Sequence, residues 1–278
     1  MPLRVVQSCV LCVAASLAAT AAGQAVPYNP YVDSQGPLVP VAPDGTIRWG
    51  VFYKSAALQK SYERLWNLGA CRGTNKAITI PVGANKLHVD ELPEAEFRGV
   101  VRGADGTLAG GLVAFLENPA AGDDAPPLVA QLHPAGVSRL VVVGESSADV
   151  LRPGMTVRLA TVVDARGRAA EAVRKLEIVS PPADARPAGV VAGEPTTVVA
   201  TVTHIREGAI VLRVDAGRIR KLTIPLDPAA VATIDAPAVE LISAGDAIEV
   251  KGRLWTGEGA LGAGTVFASD VLVRKQAP

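Results

Sequence analysis

The sequence predicts a mainly β protein with two tandem small antiparallel β-barrel or sandwich domains behind a short helical N-terminal segment. Three observations carry this reading. From Glu96 onward nearly every segment is strand-like and is bounded by Gly, Pro or Asp turns. The clearest helical spacing lies earlier, in SAALQKSYERLWNLG. The strand series then runs through once and restarts at Thr196 with matching residues.

The first residues, MPLRVVQSCVLCVAASLAATAAGQA, have the layout of a secretory signal peptide. Arg4 gives a short positive start, Val10–Ala22 an apolar run, and Ala21–Ala25 small residues for cleavage. Residues 1–25 are therefore read as the signal, which predicts a periplasmic or secreted protein. Every later apolar stretch is interrupted by charges or prolines, so no membrane span is expected once the signal is removed. Cys9 and Cys12 lie in the signal and neither follows a lipobox triplet. That leaves Cys71 as the mature chain's one cysteine and excludes an intramolecular disulfide.

Residues 26–52 are Pro-rich and aperiodic, and read as an extended arm with Tyr28, Tyr31 and Trp49 as its aromatic contacts. Residues 53–94 hold the helix and two short strands, Ala77–Val82 and Lys86–Val89. Ser55 is placed to cap the helix. Leu58, Tyr62, Leu65 and Trp66 form its apolar stripe, and Gly69 ends it. Residues 95–180 form the first β domain, 181–195 a linker (SPPADARPAGVVAGEP spans it), and 196–278 the second β domain, a repeat of the first. Leu128–Val137 matches Leu222–Val231. Val157, Leu159 and Val163 fall opposite Ile248, Val250 and Leu254, after Gly154 and Gly245. Leu176 and Ile178 match Val271 and Val273.

Five or six short strands in a domain of this size call for closure, which removes exposed edges. In the last third of the chain a Gly-Asp pair precedes the strong strand AIEVKGRL, a Gly-rich turn follows, and FASDVLVRK closes the unit. In these motifs the chain resembles the small OB-like barrels of exported bacterial proteins. The resemblance implies a binding or assembly module and carries over no catalytic residues. The stretch Ala229–Ser243 falls where an OB fold places its helix, and it contains Pro237.

Charge and composition narrow the function. There are 27 Lys and Arg against 27 Asp and Glu, and aromatics make up 4% of the chain. A nucleic-acid binder concentrates positive charge and stacking platforms, so nucleic acid is an unfavoured partner. His88, His133 and His204 have no companion at metal-ligand spacing, and His204 alternates with Val202 on a strand. RGADGTLAGG around Asp105 reads as a hairpin turn, and Asp123–Asp124 as an exposed loop lacking the alternating oxygens of a calcium site. No metal or cofactor is predicted. RVDAGRIRK offers Arg213, Arg218, Arg220 and Lys221 as a ligand-binding patch for a polyanion, although a solvated strand face balanced by Glu207 and Asp215 is the preferred reading. Cys71 is either a buried structural thiol or the site of an intermolecular disulfide. The function these features predict is a non-enzymatic binding or structural-assembly role in the cell envelope, toward a protein or an envelope polymer. Two alternatives stand beside it: an enzyme whose site is assembled between the domains, and an OB-type nucleic-acid or polyanion binder.

Overall fold

The computed structural model describes residues 45, 47, 49, 55–71, 88–107, 110–122, 125–133, 135–180, 189–257 and 260–276. The signal, most of the arm and the strand expected at Ala77–Val82 lie outside the described residues. One α-helix, α1 (Ala56–Asn67), precedes eleven strands: β1 (Glu94–Thr107), β2 (Gly110–Leu116), β3 (Leu128–Leu132), β4 (Arg139–Ser147), β5 (Thr156–Thr161), β6 (Val173–Val179), β7 (Thr196–Arg206), β8 (Ala209–Arg213), β9 (Lys221–Ala236), β10 (Ala247–Trp255) and β11 (Gly264–Arg274). Each includes a segment read from the sequence as a strand, although β1 runs on through Asp105 and β9 through Ala229–Ala236. Val89, expected to end a strand, instead opens a 3-10 turn, Val89–Glu91.

The pairings close two five-stranded barrels. Barrel A runs β1-β2-β3-β11-β10 and returns to β1; barrel B runs β7-β8-β9-β6-β5 and returns to β7. In each, one neighbouring pair is parallel, β3 with β11 and β9 with β6, and the others are antiparallel. The alternation sets what lies inside. Val157 and Leu159 of β5, and Ile248 and Val250 of β10, are buried in one core cluster that runs through both barrels.

The two barrels repeat one another in detail. Gly154 and Gly245 both have left-handed φ, 97° and 93°. Their amides donate to Val202 and Val101 respectively, each at 2.8 Å. Only glycine adopts this φ without strain, which is why a Gly opens both strands. β1 and β7 bulge at the same point, between Val101 and Gly103 and between Val202 and His204. The barrels meet where β4 pairs antiparallel with the second half of β9, from Val142↔Ala236 to Ser147↔Val231. A local pseudo-twofold axis passes through Val143↔Asp235.

These pairings do not follow the expected division at residues 181–195. β5 and β6 belong to the first sequence unit yet pair with β7 and β9 of the second. β10 and β11 of the second unit close on β1 and β3 of the first. Barrel B is thus a contiguous stretch, 156–236, set inside the split barrel A. The segment read as an interdomain linker connects β6 to β7 within barrel B. Strand alternation specifies a buried face and not a partner, so two units with the same apolar pattern offer equivalent hairpins to either barrel. The choice is made by β4, which carries the chain from barrel A onto β9 before β5 begins. The stretch Ala229–Ser243 is no helix: it continues β9 and ends in the 3-10 turn Val239–Leu241.

A buried ion pair locks the far end of barrel A. Lys275 Nζ lies 2.7 Å from Asp246 Oδ2, with the two side chains 3% and 4% exposed. Nζ also donates to the Leu241 carbonyl and Ser243 Oγ, while Asp246 accepts from the Ser243 and Gln276 amides. With its hydrogen bonds filled, the pair offsets its own desolvation; removing one partner leaves a buried charge that costs about 3–5 kcal/mol.

The exchange of hairpins predicts how the chain tolerates division. A fragment covering residues 190–278 lacks β5 and β6 and should be unfolded alone. Two polypeptides, residues 26–184 and 185–278, should co-purify after co-expression and give the amide spectrum of the intact protein. Separate folding of the two pieces would contradict the strand pairings.

Candidate functional site

The outer surface of barrel A is covered by the N-terminal segment. Ser55 caps α1, its hydroxyl accepting from the Leu58 amide at 3.3 Å. The buried face of the helix, Leu58, Tyr62 and Leu65, packs with Leu112, Ala114 and Val129, which point outward from β2 and β3. Each such side chain is worth roughly 1.5–3 kcal/mol when fully buried. Gly103 permits the close approach: a Cβ there would stand 2.8 Å from Cβ of Ala70 and 3.2 Å from Cδ2 of Leu65. In barrel B the same bulge position is His204, which is exposed. Arg64 clamps the helix from outside, with Nε donating to Asp105 Oδ1 at 2.7 Å and Nη2 to Oδ2. Asp105, read from the sequence as a turn residue, is therefore a docking contact.

A second part of the cover is Trp49. Its ring lies 4.8 Å from that of His133 and 4.7 Å, edge-on, from Phe267. Beneath this cover lie two buried polar side chains, His133 and Gln131, both 0% exposed. Nδ1 of His133 accepts from the Ala135 amide at 3.2 Å, and burial pushes its pKa down to about 4. Both amide atoms of Gln131 lack a hydrogen-bond partner among the described residues. Gln131 sits between Leu112 of β2 and Phe267 of β11 in the register, on the covered face.

The sequence-predicted patch is brought together at the loop end of the β8–β9 hairpin. Arg213 and Lys221 are directly opposed, and Arg218 and Arg220 lie in the loop between them; all four are exposed. Arg213 Nε is 3.3 Å from Asp215 Oδ1, and the Arg220 guanidinium donates to the Asp215 carbonyl. One acidic residue thus faces a cluster of four cations. Cys71 is fully buried in the α1 cluster, and burial pushes its thiol up to about 12. A disulfide to another chain would require this corner to open. His88 and His204 are exposed.

A shallow depression of about 170 Å³ contains charged residues from both sequence units. These include Arg139, paired with Asp270 at 3.9 Å, and Glu249, paired with Arg274 at 2.6 Å. Among the described residues no cluster of three His, Cys, Asp or Glu side chains is placed to hold a metal. No helix among them is long and apolar enough to cross a membrane. A comparison with protein-family models, curated proteins and solved structures finds no match to the chain.

Sequence reasoning placed the basic patch and expected the helix stripe to pack on a domain, but did not identify the face it covers. Trp49, His133 and Phe267 are widely separated and follow no common period. Their meeting depends on β11 joining barrel A, which strand patterns do not specify.

Two predictions follow from the covered cluster. His133 titrates below its ordinary value near 6.5, so the fold holds it neutral. Its stabilising share is complete above about pH 6.5 and declines as pH falls toward 4, by which point about 3 kcal/mol has been lost. Urea unfolding at pH 7 and pH 4 should show the stability difference shrinking by about that amount in His133→Asn. Gln131→Met keeps the volume and removes a buried unpartnered amide, whose burial costs about 1–3 kcal/mol. It should raise the unfolding free energy by about that much in the same assay.

Proposed function

We propose that the chain is an exported, non-enzymatic binding or assembly protein of the cell envelope, whose barrels hold polypeptide segments on their outer faces. The observation that carries this reading is the cover on barrel A. A helix and a tryptophan from the same chain occupy β2, β3 and β11, burying Leu112, Ala114, Val129 and Phe267. The strand order and the single parallel pair in each barrel are those of an OB fold, with β10 and β11, or β5 and β6, as its fourth and fifth strands. We read both barrels as OB-like and the two sequence units as a duplication with exchanged halves. OB folds take their ligands on strands two and three. On barrel A the covering helix occupies that surface. The signal pattern in residues 1–25 supports export to the periplasm or beyond.

A second reading rests on barrel B. Its strands two and three, β8 and β9, carry Arg213 and Lys221 outward, with Arg218 and Arg220 beside them. This arrangement suits a polyanion. The neighbouring Asp215, and Asp227 paired with Arg174 at 3.0 Å, dilute its field.

A salt titration on the full chain separates the two readings. Binding of single-stranded DNA or an anionic polysaccharide should be weak and should vanish near 0.15 M salt, because few phosphates can be neutralised. Tight binding that survives this salt and disappears on replacing Arg213, Arg218, Arg220 and Lys221 with alanine would transfer the function to the polyanion reading. Mass spectrometry of the envelope-extracted protein should find its N-terminus between Gly23 and Val26, and an intact Met1 would refute export.

A further inference from the structure

Beneath the cover of barrel A, the strand register gathers side chains that suit a removable cover better than a permanent one. Gln131 and Phe267 are register partners on the outward face of β3 and β11, and His133 follows directly on β3. Trp49 is seated on this group. A Cβ at Gly136 would lie 3.1 Å from Cη2 of Trp49, so its absence makes room for the ring. The ring stands 4.8 Å from His133 and 4.7 Å from Phe267.

The seat accepts His133 as the neutral imidazole. Nδ1 accepts from the Ala135 amide at 3.2 Å, and a proton placed on Nδ1 would point at that N–H. The acceptor then offered to the new proton is the residue's own carbonyl, which already accepts from the Gly136 and Val137 amides at 2.8 and 2.9 Å. A charge at this fully buried place is also stripped of water. Asp90, Glu94 and Arg253 line a space of about 380 Å³ together with Trp49 and Phe267, and Arg64 and Asp105 clamp α1. Burial dominates the downward shift of His133, and none of these charges offsets it. On the helix side the titratable groups of the cluster are Tyr62 and Cys71, and the Cys71 thiol, pushed up to about 12, stays protonated.

Gln131 acts in the same direction without titrating. Its amide is fully buried and has no hydrogen-bond partner among the described residues, a cost that water removes once the face is uncovered. Barrel B lacks the combination. Arg168 bridges Thr223 as Thr265 pairs with Val129, so Pro225, Asp227 and Ala170 stand at the places of Gln131, His133 and Phe267.

We propose that the N-terminal cover of barrel A is an acid-released latch: protonation of His133 unseats Trp49 and α1 and uncovers the outer faces of β2, β3 and β11. The sign follows from linkage. His133 takes a proton near pH 6.5 when uncovered and only near 4 when covered, so acid favours the uncovered state. The ratio of uncovered to covered molecules rises about a hundredfold from pH 7 to pH 4. Release bares an apolar strip, Leu112, Ala114, Val129 and Phe267, with the Gln131 amide among them. None of these belongs to the core cluster that runs through both barrels, so the barrels stay closed. The latch does not depend on what the barrels bind.

Cys71, fully buried in the α1 cluster, reports the opening. The test uses the full chain carrying Cys9→Ser and Cys12→Ser, which leaves Cys71 as its one thiol. Its reaction with dithiodipyridine, scaled to that of a short cysteine peptide at the same pH, should rise about a hundredfold from pH 7 to pH 4. Amides of β7 to β9 should keep their protection from hydrogen exchange over the same range. In His133→Asn the side-chain oxygen takes over the Ala135 amide and the titrating group is gone, so the rise should shrink to less than about threefold. Gln131→Met should slow the reaction at both pH values by at least about fivefold and leave their ratio unchanged. A rate that does not rise in the parent chain overturns the latch. So does a rise that survives in His133→Asn, which places the trigger in the Arg64–Asp105 clamp. A rise that comes only with loss of protection in β7 to β9 is global unfolding and overturns it too. Where His133→Asn proves open at both pH values, the imidazole resonances of His133 in the parent chain decide. Their titration must coincide with the rise in Cys71 reactivity, and a separate midpoint overturns the proposal.

Discussion

The pairing of β4 with the second half of β9 is the constraint on which the architecture depends. It delivers the chain from one barrel to the other before β5, so neither half of the chain closes a barrel on itself. Every later choice follows from it. β5 and β6 find β7 and β9 because they emerge beside them, and barrel A is left to wait for β10 and β11. The equivalent hydrogen bonds at Gly154 and Gly245 show how little the exchange costs: each incoming hairpin meets the geometry its counterpart would have met. The buried Lys275–Asp246 pair then fixes the end of the hairpin that has travelled furthest in sequence.

The cover on barrel A illustrates a balance between apolar gain and polar loss. Leu58, Tyr62 and Leu65 supply several kcal/mol of burial. Against this stand a neutralised histidine and an amide without a partner among the described residues. The absence of a Cβ at Gly103 lets the gain prevail by admitting the helix to contact distance. Barrel B has the opposite settings at matching positions. His204 replaces the glycine, small residues replace Phe267, and no helix among the described residues covers the surface.

Much of this was legible in the sequence at the level of elements. The eleven strands lie where alternation and turn residues put them, and α1 runs from its Ser55 cap to a stop near Gly69. The matched positions of the repeat, such as Val157 with Ile248, occupy corresponding strands. The division into tandem units did not carry through, because alternation encodes which face is buried and says nothing about which strand lies alongside. The basic cluster was legible because Arg213 and Lys221 flank a short loop, a local relation. The Trp49–His133–Phe267 contact was not, because three distant segments meet only after the closing strand of the whole chain has docked.

The splitting of barrel A also orders events in time. Strands β5 to β9 are complete once residue 236 has been made, so barrel B has its full set of strands while barrel A still lacks two. Until β10 and β11 follow, the edges of β1 and β3 remain unpaired and available to other chains. Closure of barrel A must then bring Phe97 to Val250, across more than half the chain. Contacts of such long sequence separation fold slowly. A chain that crosses a membrane unfolded and N-terminus first would meet this interval on the far side, with its earliest strands the last to be sealed.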